Sequence, residues 1–231
     1  MNGKPLFSKK QYLQKVINTF CPRIILRLSP KKSWANSHWK GQTAGDIHGY
    51  DKYCGEHPAT KIILPEISRL VPKDASILDL GCNCGNYLRR LKEQGFTRIS
   101  GTDICGNAIE YGKKELGLSD VEMIVGSFDE VLPRLVFEGR KFQLVYTVGA
   151  TVELVHPSFD VIRYVCELSD EYIVFIISLW GHAYPRFWEY EFNRNGFCLV
   201  KCITSSDGNT DRIRDPVQVD SLMVFRRVRP E

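Results

Sequence analysis

From residue 59 onward, short apolar runs alternate with longer amphipathic stretches. Ile77, Leu78 and Leu80 make one run; 121–125 (VEMIV), 142–147 (FQLVYT) and 172–178 (YIVFIIS) make others. Between them, apolar residues recur three or four apart, as in Ile62, Ile63, Ile67 and Leu70, or Tyr87, Leu88 and Leu91. Gly95, Gly117 and Gly196 stand where these helical patterns stop. Runs of four to eight apolar residues separated by 3.6-period segments predict strand–helix–strand units, hence a parallel sheet buried on both faces. The reading is a doubly wound α/β domain. Two last strands, 197–203 and 221–228, are joined by a polar loop (SSDGNTDRIRDP) and predict an antiparallel pair.

The chemistry concentrates in 76–103. A short strand enters a turn, Asp79-Leu-Gly81-Cys-Asn83-Cys-Gly85-Asn86, a helix follows, and a second strand closes on Asp103. A strand running through a glycine turn into a helix aims backbone N–H groups and the positive end of the helix dipole at one point. An acid closing the next strand stands beside that point and can accept from ribose hydroxyls. The dinucleotide fingerprint G-x-G-x-x-G is missing, since the glycines here are four apart. A carboxylate just before the turn also opposes a pyrophosphate and suits a ligand with a cationic amino-acid end. Asn83 takes the middle position, and Asn is the non-glycine residue best suited to left-handed backbone angles.

This stretch resembles motif I of the class I S-adenosylmethionine-dependent methyltransferases, D/E-x-G-x-G-x-G, with Asn83 for the middle glycine. The loop after 142–147, VGATVELVHP, is similar to the family's fourth strand and loop, with Gln143 and Glu153 where an Asp and a His are common. The resemblance covers 59–229 and implies a seven-stranded, mostly parallel sheet with a terminal antiparallel strand, the Rossmann-like methyltransferase fold. It implies S-adenosylmethionine as cofactor, bound by Asp79, Gly81, Asn83 and Gly85 at the methionine end and Asp103 at the ribose. Ile104, Ser127 and Phe128 stand at the adenine, and Thr147 at the end of the fourth strand. Asp129 reads as a helix cap. Glu153 or His156 is placed for general-base work. His48, Tyr53, His182, Tyr184 and Arg186 are the candidate substrate-binding residues, Arg186 by bidentate pairing with an acid.

Each has a plainer reading too. Glu153 pairs with a basic neighbour, His156 shapes a turn before Pro157, and Arg186 holds Glu189 or Glu191. The resemblance implies methyl transfer to a small-molecule or glycan acceptor at oxygen. A non-catalytic relative that keeps the fold as a binding module, and an oxidoreductase with an aberrant turn, are the other classes weighed.

Charge divides the chain. Residues 1–45 hold nine lysines and arginines and no acid, leaving 22 bases against 27 acids in the remainder. Leu13, Val16, Ile17, Phe20, Ile24 and Leu28 recur at helical spacing among those bases, with Pro22 interrupting. Residues 1–32 therefore read as a basic amphipathic extension, either lying on an anionic membrane surface or packed on the domain. Residues 33–58 mix Trp34, Trp39, Tyr50 and Tyr53 with four glycines and three histidines. They read as a lid whose His48, His57 and Tyr53 are possible bases, with 59–231 as the methyltransferase domain. Nucleic acid is not expected as a partner, for want of a binding motif. Eight cysteines at irregular spacing, with no C-x-x-C, read as the reduced thiols of a cytoplasmic protein, at the inner face of the membrane if the leader binds lipid. No metal is expected.

Overall fold

The computed structural model describes residues 9–21, 37–47, 49–57, 59–149, 152–178, 184–204 and 220–229. Its centre is a seven-stranded sheet ordered β3-β2-β1-β4-β5-β7-β6. The strands are β1 (Ser76–Leu80), β2 (Arg98–Asp103), β3 (Glu122–Val125), β4 (Phe142–Val148), β5 (Ser169–Ser178), β6 (Phe197–Thr204) and β7 (Asp220–Arg227). β1 to β5 run parallel, while β7 is antiparallel to both β5 and β6 and lies between them. The expected last pair is present, with the chain's final strand inserted one place inside the edge.

Helices cover both faces: α2 (Thr60–Leu70), α3 (Asn86–Glu93), α4 (Gly106–Glu115), α5 (Phe128–Phe137), α6 (Val161–Leu168) and α7 (Trp188–Asn193). The alternation of strand side chains divides the core in two. Ile77, Leu144, Tyr146 and Val174 pack with Ile63, Ile67, Leu88 and Leu91 on one face. Leu78, Leu80, Val145 and Phe175 pack with Leu132, Val165 and Phe192 on the other. α2 continues through Pro65. At α5 the cap is Ser127, not Asp129: Ser127 and Glu130 form a capping box, and the Glu130 carboxylate accepts the Ser127 N–H at 3.0 Å.

Helix α1 (Lys9–Phe20) stops two residues before Pro22, and it packs on the domain. Its inward face differs from the apolar stripe the spacing predicts. Lys15, Asn18 and Thr19 are buried, while Tyr12, Leu13 and Phe20 stay more than half exposed. The Asn18 amide donates to the Pro185 carbonyl at 2.8 Å, and the Phe187 N–H donates to Thr19 Oγ1 at 3.1 Å. These polar side chains satisfy backbone groups of the segment after β5 that have no ladder partner. No described helix is long and apolar enough to cross a membrane.

Candidate functional site

The parallel register brings the carboxyl ends of β1, β2, β3 and β4 to one edge, where Leu80 pairs with Thr102 and Asp103 with Val125. Ligands of open α/β sheets sit at that edge. A cavity of about 330 Å³ opens there, walled by Gly81–Cys84 and Asp103–Cys105, by Gly126–Asp129, by Val148 and Gly149, and by Leu154–His156 with Phe159 and Tyr184. Trp39, Gln42, Tyr53, Gly55 and His57 close it from the segment read as a lid.

The turn is left-handed at every second position: Gly81 has φ +74°, Asn83 +50° and Gly85 +79°. Asn83 is the only described non-glycine residue with positive φ, the backbone angle its identity was expected to tolerate. A Cβ on Gly85 would lie 2.5 Å from Leu118 Cδ1 and 2.9 Å from Met123 Cε, so both side chains would have to move on top of the strain of its left-handed backbone.

The turn's N–H groups are spent inside the protein, contrary to the expectation that they point at the ligand. Gly81 and Cys82 both donate to the Thr102 carbonyl and Gly85 to that of Cys82; Asn83 donates to Asp103 Oδ2 and Cys84 to Asn83 Oδ1. Those five groups have nothing left for a pyrophosphate. A buried carboxylate, Asp79, and a half-buried one, Asp103, stand there instead. Burial pushes the Asp79 carboxyl up to about 8, against the Tyr146 hydroxyl that donates to its Oδ2 at 2.8 Å, while Asp103 nearby raises it further. Burial also raises Asp103, although the Asn83 and Cys105 N–H groups, each at 2.8 Å, favour its ionised form. Two neighbouring acids, with no lysine or arginine among the described residues paired with either, make a site that gains from a positively charged ligand group.

The predicted residues divide by place. Asp79, Gly81, Asn83, Asp103, Ile104, Ser127 and Phe128 line the cavity, as do Tyr53, His156 and Tyr184. Gly85 sits just behind the wall at the N-terminus of α3. Thr147 is fully buried and its hydroxyl donates to the Leu80 carbonyl at 2.8 Å, joining β4 to β1 rather than facing the cavity. Glu153 is fully buried behind the loop, where its carbonyl accepts the Tyr184 N–H at 3.0 Å; it does not line the cavity and is not placed as a base there. Arg186 is likewise buried, with Nη2 donating to the Val155 carbonyl at 3.4 Å, so it braces the loop from behind. His48 and His182 lie outside the described residues.

Sequence reasoning missed Tyr146, whose hydroxyl sets the Asp79 environment. The parallel register pairs Asp79 with Tyr146, and adjacent central strands were the available signal. It also missed what fastens the capping segment. Asn86 Nδ2 donates to the Gly55 carbonyl at 2.7 Å, Asn107 Nδ2 to Gln42 at 3.3 Å, and the Tyr87 hydroxyl meets His57 Nδ1 at 3.3 Å.

A doubly wound sheet with one reversed strand, and two acids at the turn after β1, fit the class I S-adenosylmethionine-dependent methyltransferases. Residues 77–169 match the family model described as a methyltransferase domain, and this chain carries that domain. The mouse protein "EEF1A lysine methyltransferase 2" is 28% identical over 109 residues, 43% of this chain and 45% of that protein. The ribosomal protein L11 methyltransferase of Lactobacillus gasseri is 31% identical over 70 residues, 30% of this chain and 22% of that protein. The chain thus matches less than half the length of either relative. The magnesium protoporphyrin IX methyltransferase of Synechocystis, solved with S-adenosylmethionine bound, superposes with a TM-score of 0.56 at 12% identity, over 97% of this chain and all of that one. The cofactor of this class is S-adenosylmethionine, and the residues present fit it: acids for its ammonium and ribose, and a turn closed to phosphate.

Asp103→Ala removes the acceptor of two buried N–H groups and the carboxylate available to a ribose. Affinity for S-adenosylmethionine is expected to fall more than about tenfold, with circular dichroism unchanged. Calorimetric titration measures it, and undiminished affinity would remove Asp103 from the site.

Proposed function

We propose that the chain transfers the methyl group of S-adenosylmethionine to a small-molecule or glycan acceptor at oxygen. The observation that carries the transfer is the convergence of Asp79 and Asp103 on one cavity whose turn N–H groups are already satisfied. When bound, S-adenosylmethionine supplies an electrophilic methyl on a sulfonium. The chain's part is to hold an acceptor atom in line with that methyl and to exclude water.

The acceptor end lies between Tyr53 and His57 on one side and Leu154, His156, Phe159 and Tyr184 on the other. An aromatic-walled chamber roofed by Trp39, Gln42, Tyr53 and His57 supports a small acceptor over a broad surface. His156 is the base in this reading. Nδ1 accepts the Ser158 N–H at 3.2 Å and lies 2.9 Å from Ser158 Oγ, which fixes the ring at the cavity wall within reach of an acceptor hydroxyl. The segment 33–58 acts as the lid over cofactor and acceptor.

Side-by-side calorimetric titration with S-adenosylmethionine, S-adenosylhomocysteine and NAD tests the reading. Micromolar binding of the two sulfur ligands, and none of NAD, is expected. Binding of NAD alone would overturn it in favour of an oxidoreductase, and binding of none of the three in favour of the fold as a scaffold.

A further inference from the structure

The described cysteines are free thiols, yet two of them meet. Cys54 lies at the end of the single 3-10 turn Tyr50–Tyr53 in the capping segment, and Cys84 lies in the cofactor turn. Thirty residues apart in sequence, their Sγ atoms are 3.1 Å apart, while a disulfide needs about 2.05 Å. The backbone on both sides is already fixed. The neighbouring Gly55 carbonyl is held by Asn86, the first residue of α3, and the Cys84 N–H is held by Asn83. Among the described residues no three His, Cys, Asp or Glu side chains gather as a metal site needs.

We propose that Cys54 and Cys84 are a modification site, closing to a disulfide under peroxide and bolting the capping segment to the cofactor turn. Cys54 is partly exposed and Cys84 buried, which fixes the order of events. The Cys54 thiolate attacks the peroxide, forming a sulfenic acid and releasing one water. The Cys84 sulfur then attacks the Cys54 sulfur; the S–S bond forms, the sulfenic S–O bond breaks, and the Cys84 proton leaves with hydroxide as a second water. Two thiols are oxidised by two electrons and one peroxide is reduced. Burial raises the Cys84 thiol, which makes it the resolving partner and not the first attacked. Contact replaces thiolate character in driving the second step, because the two sulfurs are held together before reaction.

The consequence rests on the function proposed above: a cofactor must pass the capping segment to enter or leave, and the bond stops that movement. A small-molecule thiol reverses it by exchange.

The test treats the full chain with hydrogen peroxide, blocks remaining thiols, and digests without reduction. Mass spectrometry is expected to find the peptides of Cys54 and Cys84 joined with two hydrogens lost, and separated by dithiothreitol. The link persists in Cys82→Ser and vanishes in Cys54→Ser and Cys84→Ser. In the same samples, limited tryptic cleavage after Lys40 and Lys52 slows by about tenfold on oxidation, because the tether holds the segment near its site. Absence of the link, its formation through Cys82, or unchanged cleavage despite the link would each overturn the proposal. If the reduced chain binds no S-adenosylhomocysteine, the function proposed above fails while the link and the slowed cleavage still decide this one.

Discussion

Asp79→Asn is expected to make the ligand-free protein more stable above neutral pH and to weaken its hold on S-adenosylmethionine by roughly 10- to 100-fold. Asp79 is almost wholly buried, and burial holds its carboxyl at about 8. Between the ordinary aspartate value near 3.8 and about 8, the native state keeps a proton that the unfolded state has lost. Stability therefore falls as pH rises through that window, by at most about 1.4 kcal/mol per pH unit from this group, and the fall ends once the native group ionises. Asp103 is raised as well and contributes with the same sign. Asp46, Glu122 and Asp120 are lowered by their hydrogen bonds, so their opposite contribution is complete by about pH 5. Burial lowers His57, whose contribution rises with pH. The comparison of variant with wild type cancels all of these. Urea midpoints at pH 5 and pH 8 give the measurement: the wild-type midpoint drops more than that of Asp79→Asn. At pH 7 the wild-type carboxyl must ionise to receive the cofactor ammonium, so binding releases close to one proton. Calorimetry in buffers of different ionisation enthalpy reads that proton, and Asp79→Asn loses it. A variant that binds as tightly, with the same proton release, would sink the assignment of Asp79 to the methionine end.

Burial explains why the strands of the sheet and the acids at its carboxyl edge stand out in the sequence while the residues of the loops beyond them do not. Strands buried on both faces must be apolar runs, so β1, β4 and β5 announce themselves, and Asp79 stands out because a charge in such a run needs a reason. Asp103 is legible because a carboxylate ending the neighbouring strand has few roles at that edge. Glu153 and Arg186 carry the same kinds of charge, but lie on connections after β4 and β5, where no periodicity tells inward from outward. Both turned out to stand behind the loop and not in the cavity. α1 shows the same limit. Its apolar spacing predicts the helix over 9–20, while the stretch after Pro22 lies outside the described residues; the domain offers that helix unpaired backbone groups of residues 185 and 187. Asn18 and Thr19 answer these better than leucine does. Tyr146 carries no charge and looks like any aromatic core residue until the register sets it against Asp79.

Gly112 lies inside α4 and carries no signal of its own in the sequence. A glycine inside a helix costs about 1 kcal/mol against alanine, which calls for a packing reason, and the reason is severe. A Cβ at Gly112 would lie 2.1 Å from the carbonyl oxygen of Cys84 and 2.9 Å from its carbonyl carbon. The clash is with backbone, so no side chain can rotate away; either α4 retreats or the cofactor turn deforms. Gly112→Ala is therefore expected to destabilise the protein by about 1–3 kcal/mol despite its better helix propensity, as overpacking does. It is also expected to weaken S-adenosylmethionine binding by about tenfold or more, since a 1 Å displacement of site groups is costly. Gly106→Ala on the same helix is the control: its Cβ would meet only Val125 Cγ1 at 3.6 Å, an ordinary contact, and neither quantity should move. Thermal midpoints and calorimetric titration of the two variants decide the matter. If Gly112→Ala melts and binds like wild type, α4 can shift without cost. The turn would then owe its shape to Asp103 and Asn83 alone; a loss confined to Gly112→Ala shows that the helix behind the turn holds Cys84, and with it the cofactor, in place.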